Sequence, residues 1–302
     1  MAIDSQRDLL VIAVLAVFAA VEVFSRSHAT YRATPDDTKL EVLTLLSLTV
    51  IIQPAILAFT TALGASFFPE QRGALSHWPG WAMFAVLLVV DDLTQYAWHR
   101  ASHSRLLWPL HRAHHSAHAM SVRITYRNNF FYYALMPGIW LSGIAIYLGF
   151  ADVYALYVVI KLTVIMGAHC AVPWDRPLYR VPALRPLMWL VERTVSTPAT
   201  HWAHHAMSNA DGIGHYRGNF GNLLFVWDIL FGTAHLTRRY PPRVGLRDDE
   251  LFGKERWYVE MFYPLLRSRR AHSALVPGAT AYDEEVVPPD ASAHEAGQAA
   301  KR

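Results

Sequence analysis

Residues 91–116 read DDLTQYAWHRASHSRLLWPLHRAHHS and hold five histidines, His99, His103, His111, His114 and His115. A second cluster, HWAHH, supplies His201, His204 and His205 and repeats the last element of the first. On an α-helix of about 3.6 residues per turn, positions i, i+3 and i+4 share a face, so each His-x-x-His-His triplet is expected to project three imidazoles to one side. His99 and His103, four apart, do the same. So many imidazoles are costly in an apolar surrounding unless their lone pairs are used, and imidazole is a common ligand of iron, zinc, copper and nickel. Eight exceed what one ion can use. The stretch therefore predicts a dinuclear metal centre carried on short helices.

The surroundings of the boxes are apolar. Of 302 residues, 53% are apolar and 17% charged, against roughly 25% charged in soluble domains, and the mean hydropathy is positive at 0.17. The apolar residues gather into runs at 9–24, 40–68, 81–98, 130–150 and 153–172. These predict an all-α integral membrane bundle of about four to five spans with a helical cap that holds the histidines. The first run is read as an uncleaved span because MAIDSQRD is not a basic leader and no small-residue cleavage site follows. The second is interrupted by Gln53-Pro54, which predicts a kink. The third turns polar at Asp91 and Asp92 and runs into His99, which puts the site at a membrane surface. The turn GFAD forces the last two runs into an antiparallel hairpin that returns the third box to the side of the first two.

Charge orients the bundle. Arg100, Arg105, Arg112, Arg123 and Arg127 lie among the boxes without an acid, and Arg176, Arg180 and Arg185 follow the last span, so this face is expected to be cytoplasmic. The net charge of only +3, with no basic stripe, argues against nucleic acid as a partner. The single cysteine, Cys170, excludes an intrachain disulfide and a cysteine zinc ribbon. Thr197 and Pro198 suit the start of the third-box helix, as Pro109 suits that of the second. The proline- and arginine-rich connector 173–197 reads as helices lying on the lipid interface. Trp140, Tyr154 and Tyr157 fit either a lipid-facing groove or an interface belt. The expected organisation is an N-terminal membrane region 1–80, a catalytic region 81–240, an extension 241–276 and a disordered tail 277–302.

The helical zinc-hydrolase motif His-Glu-x-x-His is absent, and the lone His294-Glu295 pair falls in that tail. The stretches DLTQYAWHRASH, LWPLHRAHHS, GAHCAVP, TPATHWAHHA and NFGNLLFVWDILFGT, in this order over roughly 91–233, resemble the fatty acid hydroxylase and sterol desaturase superfamily of membrane non-haem di-iron enzymes. The resemblance implies that His99, His103, His111, His114, His115, His201, His204 and His205 bind two irons, with His169 as a ninth ligand. It implies O2-dependent hydroxylation of an aliphatic C–H of a lipid, whether fatty acyl chain, polar-lipid headgroup, carotenoid or sterol, with desaturation at the same site as the alternative. Cys170-Ala171 and Ala206 depart from the family's usual residues at those positions. Asp92 and Asp228 are candidates to orient ring N–H groups, Arg127 is a candidate headgroup contact, and His118 and His215 lie close enough to assist. No haem, dinucleotide or iron–sulfur motif is present, so electrons are expected from a separate cytochrome b5-like protein, or from a ferredoxin with its reductase, docking on the arginine-rich face. From another class, the alternative is a non-catalytic metal-binding membrane protein, such as a zinc-loaded scaffold or a transporter; transporters carry their ionisable ligands within the spans near midplane, whereas these boxes lie beyond the span ends.

Overall fold

A computed structural model describes residues 5–25, 32–270 and 273–275. The tail 277–302, with His294-Glu295, lies outside the described residues. Every regular element among the described residues is helical, and only two isolated bridges, Val195 with Leu224 and Ala206 with Val244, pair extended backbone.

Among the described residues, three helices are long and apolar enough to cross a membrane: Pro35–Phe67, Phe130–Leu148 and Ala151–His169. The first starts earlier than the apolar run suggests, because Thr34 closes a capping box. Its hydroxyl accepts from the Asp37 N–H at 3.1 Å, and the Asp37 carboxylate accepts from the Thr34 N–H at 3.0 Å. The kink expected at Gln53-Pro54 takes a definite form. Proline lacks an N–H and its ring crowds the carbonyl four residues back, so Ser47–Ile52 widens to a π-helix just before it. The run expected at 81–98 is a continuous helix, Gly80–Val86, Leu87–Asp91 and Asp92–Ser102, with a π-helical middle. Its two acids do not sit at an interface as free charges. Asp91 is buried and paired with Lys161 at 2.5 Å, and also accepts the Tyr157 hydroxyl at 2.7 Å. The first run forms a helix, Ser5–Phe24, of which Ala13–Phe24 is a short apolar stretch.

The hairpin turns at Gly149, whose φ of 111° is open to glycine at little cost. A Cβ there would also lie 2.9 Å from the Ser76 nitrogen, where the 69–76 turn docks through Gly73 N–H to Tyr147 O and Leu75 N–H to Leu148 O. Helix Pro35–Phe67 packs tightly on Pro137–Leu148, with Gly64 beneath the Tyr147 ring and Gly143 against Thr60. Small residues permit such close approach where lipid supplies no hydrophobic drive for helix association. The outward faces expose Val50, Ile51, Phe59, Ile144 and Leu156, as suits lipid contact. The last turn of Ala151–His169 and the helices Trp108–His115 and Pro198–His204 then meet at one end of the bundle.

Candidate metal centre

Each ligand candidate is placed by a helix start or end. Pro109 occupies the first turn of Trp108–His115. Thr197 caps Pro198–His204 through a box with Thr200, as its sequence predicts. His103 and His205 follow the last turns of their helices, and His169 ends its own. All nine histidines are buried, none more than 5% exposed.

They form two groups, and the boxes are shared between them. His99, His103, His111, His115 and His204 make one group; His114, His169, His201 and His205 make the other; within each, the ligand nitrogens lie within 4.8 Å of one another. The expectation that each triplet faces one way is corrected here. Residues i+3 and i+4 are about 100° apart around a helix, so two ions set side by side split the triplet. His114 turns to the four-histidine group while His111 and His115 turn to the five, and His204 crosses in the opposite sense from His201 and His205.

Proton positions make the case for a cation. His99 Nδ1 lies 2.7 Å from the Phe220 carbonyl and His204 Nδ1 2.7 Å from that of Gly218. A carbonyl only accepts, so both Nδ1 atoms carry the proton and each neutral ring keeps a lone pair on Nε2. Those two lone pairs face each other at 3.0 Å. The same holds in the second group. His114 Nδ1 donates to Arg127 O at 3.2 Å and His169 Nδ1 to Ile165 O at 2.8 Å, and their Nε2 atoms face at 3.3 Å. Opposed lone pairs in a dry interior repel unless a cation takes both. His103, with both ring nitrogens buried and no hydrogen-bond partner among the described residues, adds a further ligand in want of an ion. Burial, and the charge each ring would impose on its neighbours, hold His103, His111, His115, His201, His204 and His205 well below the ordinary value of 6.5, and burial lowers His99 to about 4. The rings are neutral at neutral pH, and each of the two groups offers lone pairs that could hold a metal ion.

The groups that orient the rings are backbone carbonyls, not the carboxylates expected from sequence. Asp228 stands one step behind. It accepts from Phe220 N–H at 2.8 Å, Gly221 N–H at 2.6 Å and the Thr233 hydroxyl at 2.6 Å, and so fixes the segment whose carbonyls meet His99 and His204. Asn219, at a φ of 56°, turns that segment, and its side chain bonds Thr200 O and His235 O; asparagine tolerates this conformation better than most residues. Gly221 is required because a Cβ would lie 2.6 Å from the Leu224 carbonyl oxygen and 2.8 Å from the Asp228 carboxylate. The signal for all three was the NFG…WDILFGT ending. Asp92 touches no histidine ring; its carboxylate accepts from Leu224 N–H at 3.0 Å and Trp227 Nε1 at 2.9 Å.

Arg127, expected at a headgroup, is 1% exposed. Its guanidinium donates to Asp37 at 2.7 Å and to Ala113 O at 2.8 Å, and lies 3.4 Å from Glu260, while its own carbonyl orients His114. Sequence reading also missed Arg112, between His111 and His114, which is fully buried and pairs with Asp248, Asp249 and Glu260 at 2.7, 2.6 and 2.8 Å. His118 is exposed beside Lys254, and His215 lies tilted against the His235 ring; neither joins a metal group. Tyr157 is fully buried, and Trp140 bonds Ala134 O and meets Phe59 edge-on, so of the three aromatic residues Tyr157 faces no lipid.

Comparison with known proteins follows the same residues. Residues 84–233 match the sequence model of the fatty acid hydroxylase family. An ornithine lipid hydroxylase, OlsE, of Rhizobium tropici is 29% identical over 213 residues, covering 69% of this chain and 54% of that protein, so the chain spans about half the length of this curated relative. No solved structure matches. The matched stretch contains all nine histidines and the segment that orients them, and residues 84–233 form a region of the fatty acid hydroxylase family.

Proposed function

We propose that the protein is a membrane-bound, O2-dependent lipid hydroxylase whose two histidine groups each hold one iron ion. The observation that carries this reading is the pair of opposed imidazole lone pairs in each buried group, on a domain of a hydroxylase family. Bound there, iron supplies the O2-dependent oxidation of an unactivated aliphatic C–H. The chain supplies the rest. The carbonyls of Phe220, Gly218, Arg127 and Ile165 keep each Nδ1 protonated and aim each Nε2 inward. Asp228 holds the first two of these carbonyls in place, and Asp92 anchors the neighbouring Leu224–Trp227 turn. Burial of all nine rings excludes bulk water, and the apolar spans offer the substrate a route that never leaves lipid.

The substrate class follows from the relative named for an ornithine lipid: a polar lipid, hydroxylated on its acyl chain or headgroup. Electrons come from a separate cytochrome b5-like protein or ferredoxin. With Arg112 and Arg127 buried, its docking face is left to the exposed Arg100, Arg105, Arg176, Arg180 and Arg185, on the cytoplasmic side.

The test is whole-lipid mass spectrometry of a host expressing the protein beside His114→Ala under 18O2. A histidine-dependent product heavier by one labelled oxygen is expected. An unlabelled product lighter by two hydrogens would assign a desaturase instead, and identical lipid profiles in a host supplied with donor and polar lipid would refute the enzymatic reading.

A further inference from the structure

The helix Ser5–Phe24 lies outside the family match, yet its last turn meets two segments that adjoin the histidine groups. Glu22 is the one charged residue in the run 9–24, and it is 4% exposed. One carboxylate oxygen accepts the N–H of Val122 at 2.9 Å and that of Ala171 at 2.8 Å; the other accepts the Ser121 hydroxyl at 2.7 Å. Charge-assisted bonds of this kind are short and strong, and their geometry is restrictive.

Both tied segments carry ligands. Ala171 stands two residues beyond His169, at the end of its helix. Ser121 and Val122 open the turn Val122–Tyr126, after which the Arg127 carbonyl takes the Nδ1–H of His114. His114 and His169 are the two members of the four-histidine group that do not come from the third box, and their Nε2 atoms face each other. Val14, Leu15 and Phe18 pack on Val122, Met166 and Cys170, which seats the helix but sets no polar register. We infer that Glu22 is a positioning residue for one of the two metal ions: by spanning Ser121-Val122 and Ala171 it fixes the spacing of His114 and His169, through acceptor geometry rather than charge. The inference rests on the two-ion reading above.

The roles of reach and charge separate cleanly. Glu22→Gln keeps an acceptor oxygen at the same reach for both amides and turns its NH2 to the Ser121 oxygen. Glu22→Asp keeps the charge but withdraws the acceptor by one methylene. The experiment is elemental analysis and chelator titration of the full chain, purified in detergent and loaded with iron, with His169→Ala as the reference for a damaged four-histidine group. Wild type and Glu22→Gln are expected to hold two ions and titrate alike. Glu22→Asp should keep the ion of the five-histidine group and bind the other about 10- to 100-fold more weakly, the usual cost of losing a partner behind a ligand. Ser121→Ala, which removes one of these bonds, should weaken the same ion less. Glu22→Asp titrating like wild type, or Glu22→Gln losing an ion as Glu22→Asp does, would overturn the inference. If Glu22→Asp fails to fold, an unchanged titration of Ser121→Ala overturns it alone. Fewer than two ions in wild type would instead overturn the two-ion reading, and this inference with it.

Discussion

Replacing Arg112 by Leu should destabilise the fold severely although no histidine is touched. The guanidinium has no exposed surface and faces three carboxylates at 2.6 to 2.8 Å, themselves between 0 and 5% exposed. Coulomb attraction is strong in so dry a site, but desolvation of the four ions cancels much of it, so the pairs count for little as net stabilisation. Removal of the central cation is different, since Asp248, Asp249 and Glu260 then stay buried with only the more distant Arg270 beside Asp249 and Arg127 beside Glu260. Breaking a buried pair from one side costs about 3–5 kcal/mol, or roughly two to nearly four powers of ten in the folding equilibrium at about 1.4 kcal/mol per tenfold. Arg112→Lys, which offers a point charge in place of a planar fork, should recover part of this. The control is Arg193→Ala. That residue also meets a carboxylate, Glu192, at 2.6 Å, but its side chain is 32% exposed, and such pairs are worth about 0–1 kcal/mol. The assay is thermal and chemical unfolding of the purified protein in detergent, with bound metal measured in parallel. Arg112→Leu unfolding within the error of wild type, or no more easily than Arg193→Ala, would refute the reasoning.

Other outcomes follow from the same contacts. His114→Ala and His115→Ala, adjacent in sequence, should each lose a different ion, so that each retains one and the double variant neither, as read by elemental analysis. Asp228→Asn sets an NH2 against the N–H donor of either Phe220 or Gly221, which use different carboxylate oxygens; it should cost about 1–3 kcal/mol of stability and weaken the ion held by His99 and His204, as read by unfolding and chelator titration. Gly143→Leu drives a side chain into Thr60 across the helix pair and should cost about 1–3 kcal/mol, while Gly212→Ala, with nothing within 4 Å but a φ of 69°, should cost about 1 kcal/mol from backbone strain alone; unfolding in detergent checks both.

Much of the site was legible because it is local. Helical spacing announced the boxes, Pro109 and Thr197 marked helix starts, and Gln53-Pro54 marked the π-widened kink. Five apolar runs were read as about four to five spans; among the described residues three helices are long and apolar enough to cross a membrane. What sequence concealed depends on residues far apart along the chain. His204 joins His99 and His103 across a hundred positions, which periodicity within one box cannot reveal. Arg127 looked like a surface cation because Asp37 and Glu260 approach it from 90 and 133 residues away. The carboxylates Asp92 and Asp228 were expected at the rings, but the carbonyls of the segment that Asp228 holds make the contact, and every residue has a carbonyl, so no residue type marks those that do.

The central claim is a centre of two iron ions divided across the histidine boxes. Its most direct test is the metal content of the full chain, purified from cells grown with iron and counted per polypeptide. The account predicts two irons, retained at neutral pH against a mild chelator. One ion, or zinc in place of iron at full occupancy with no iron-loaded form obtainable, would contradict it.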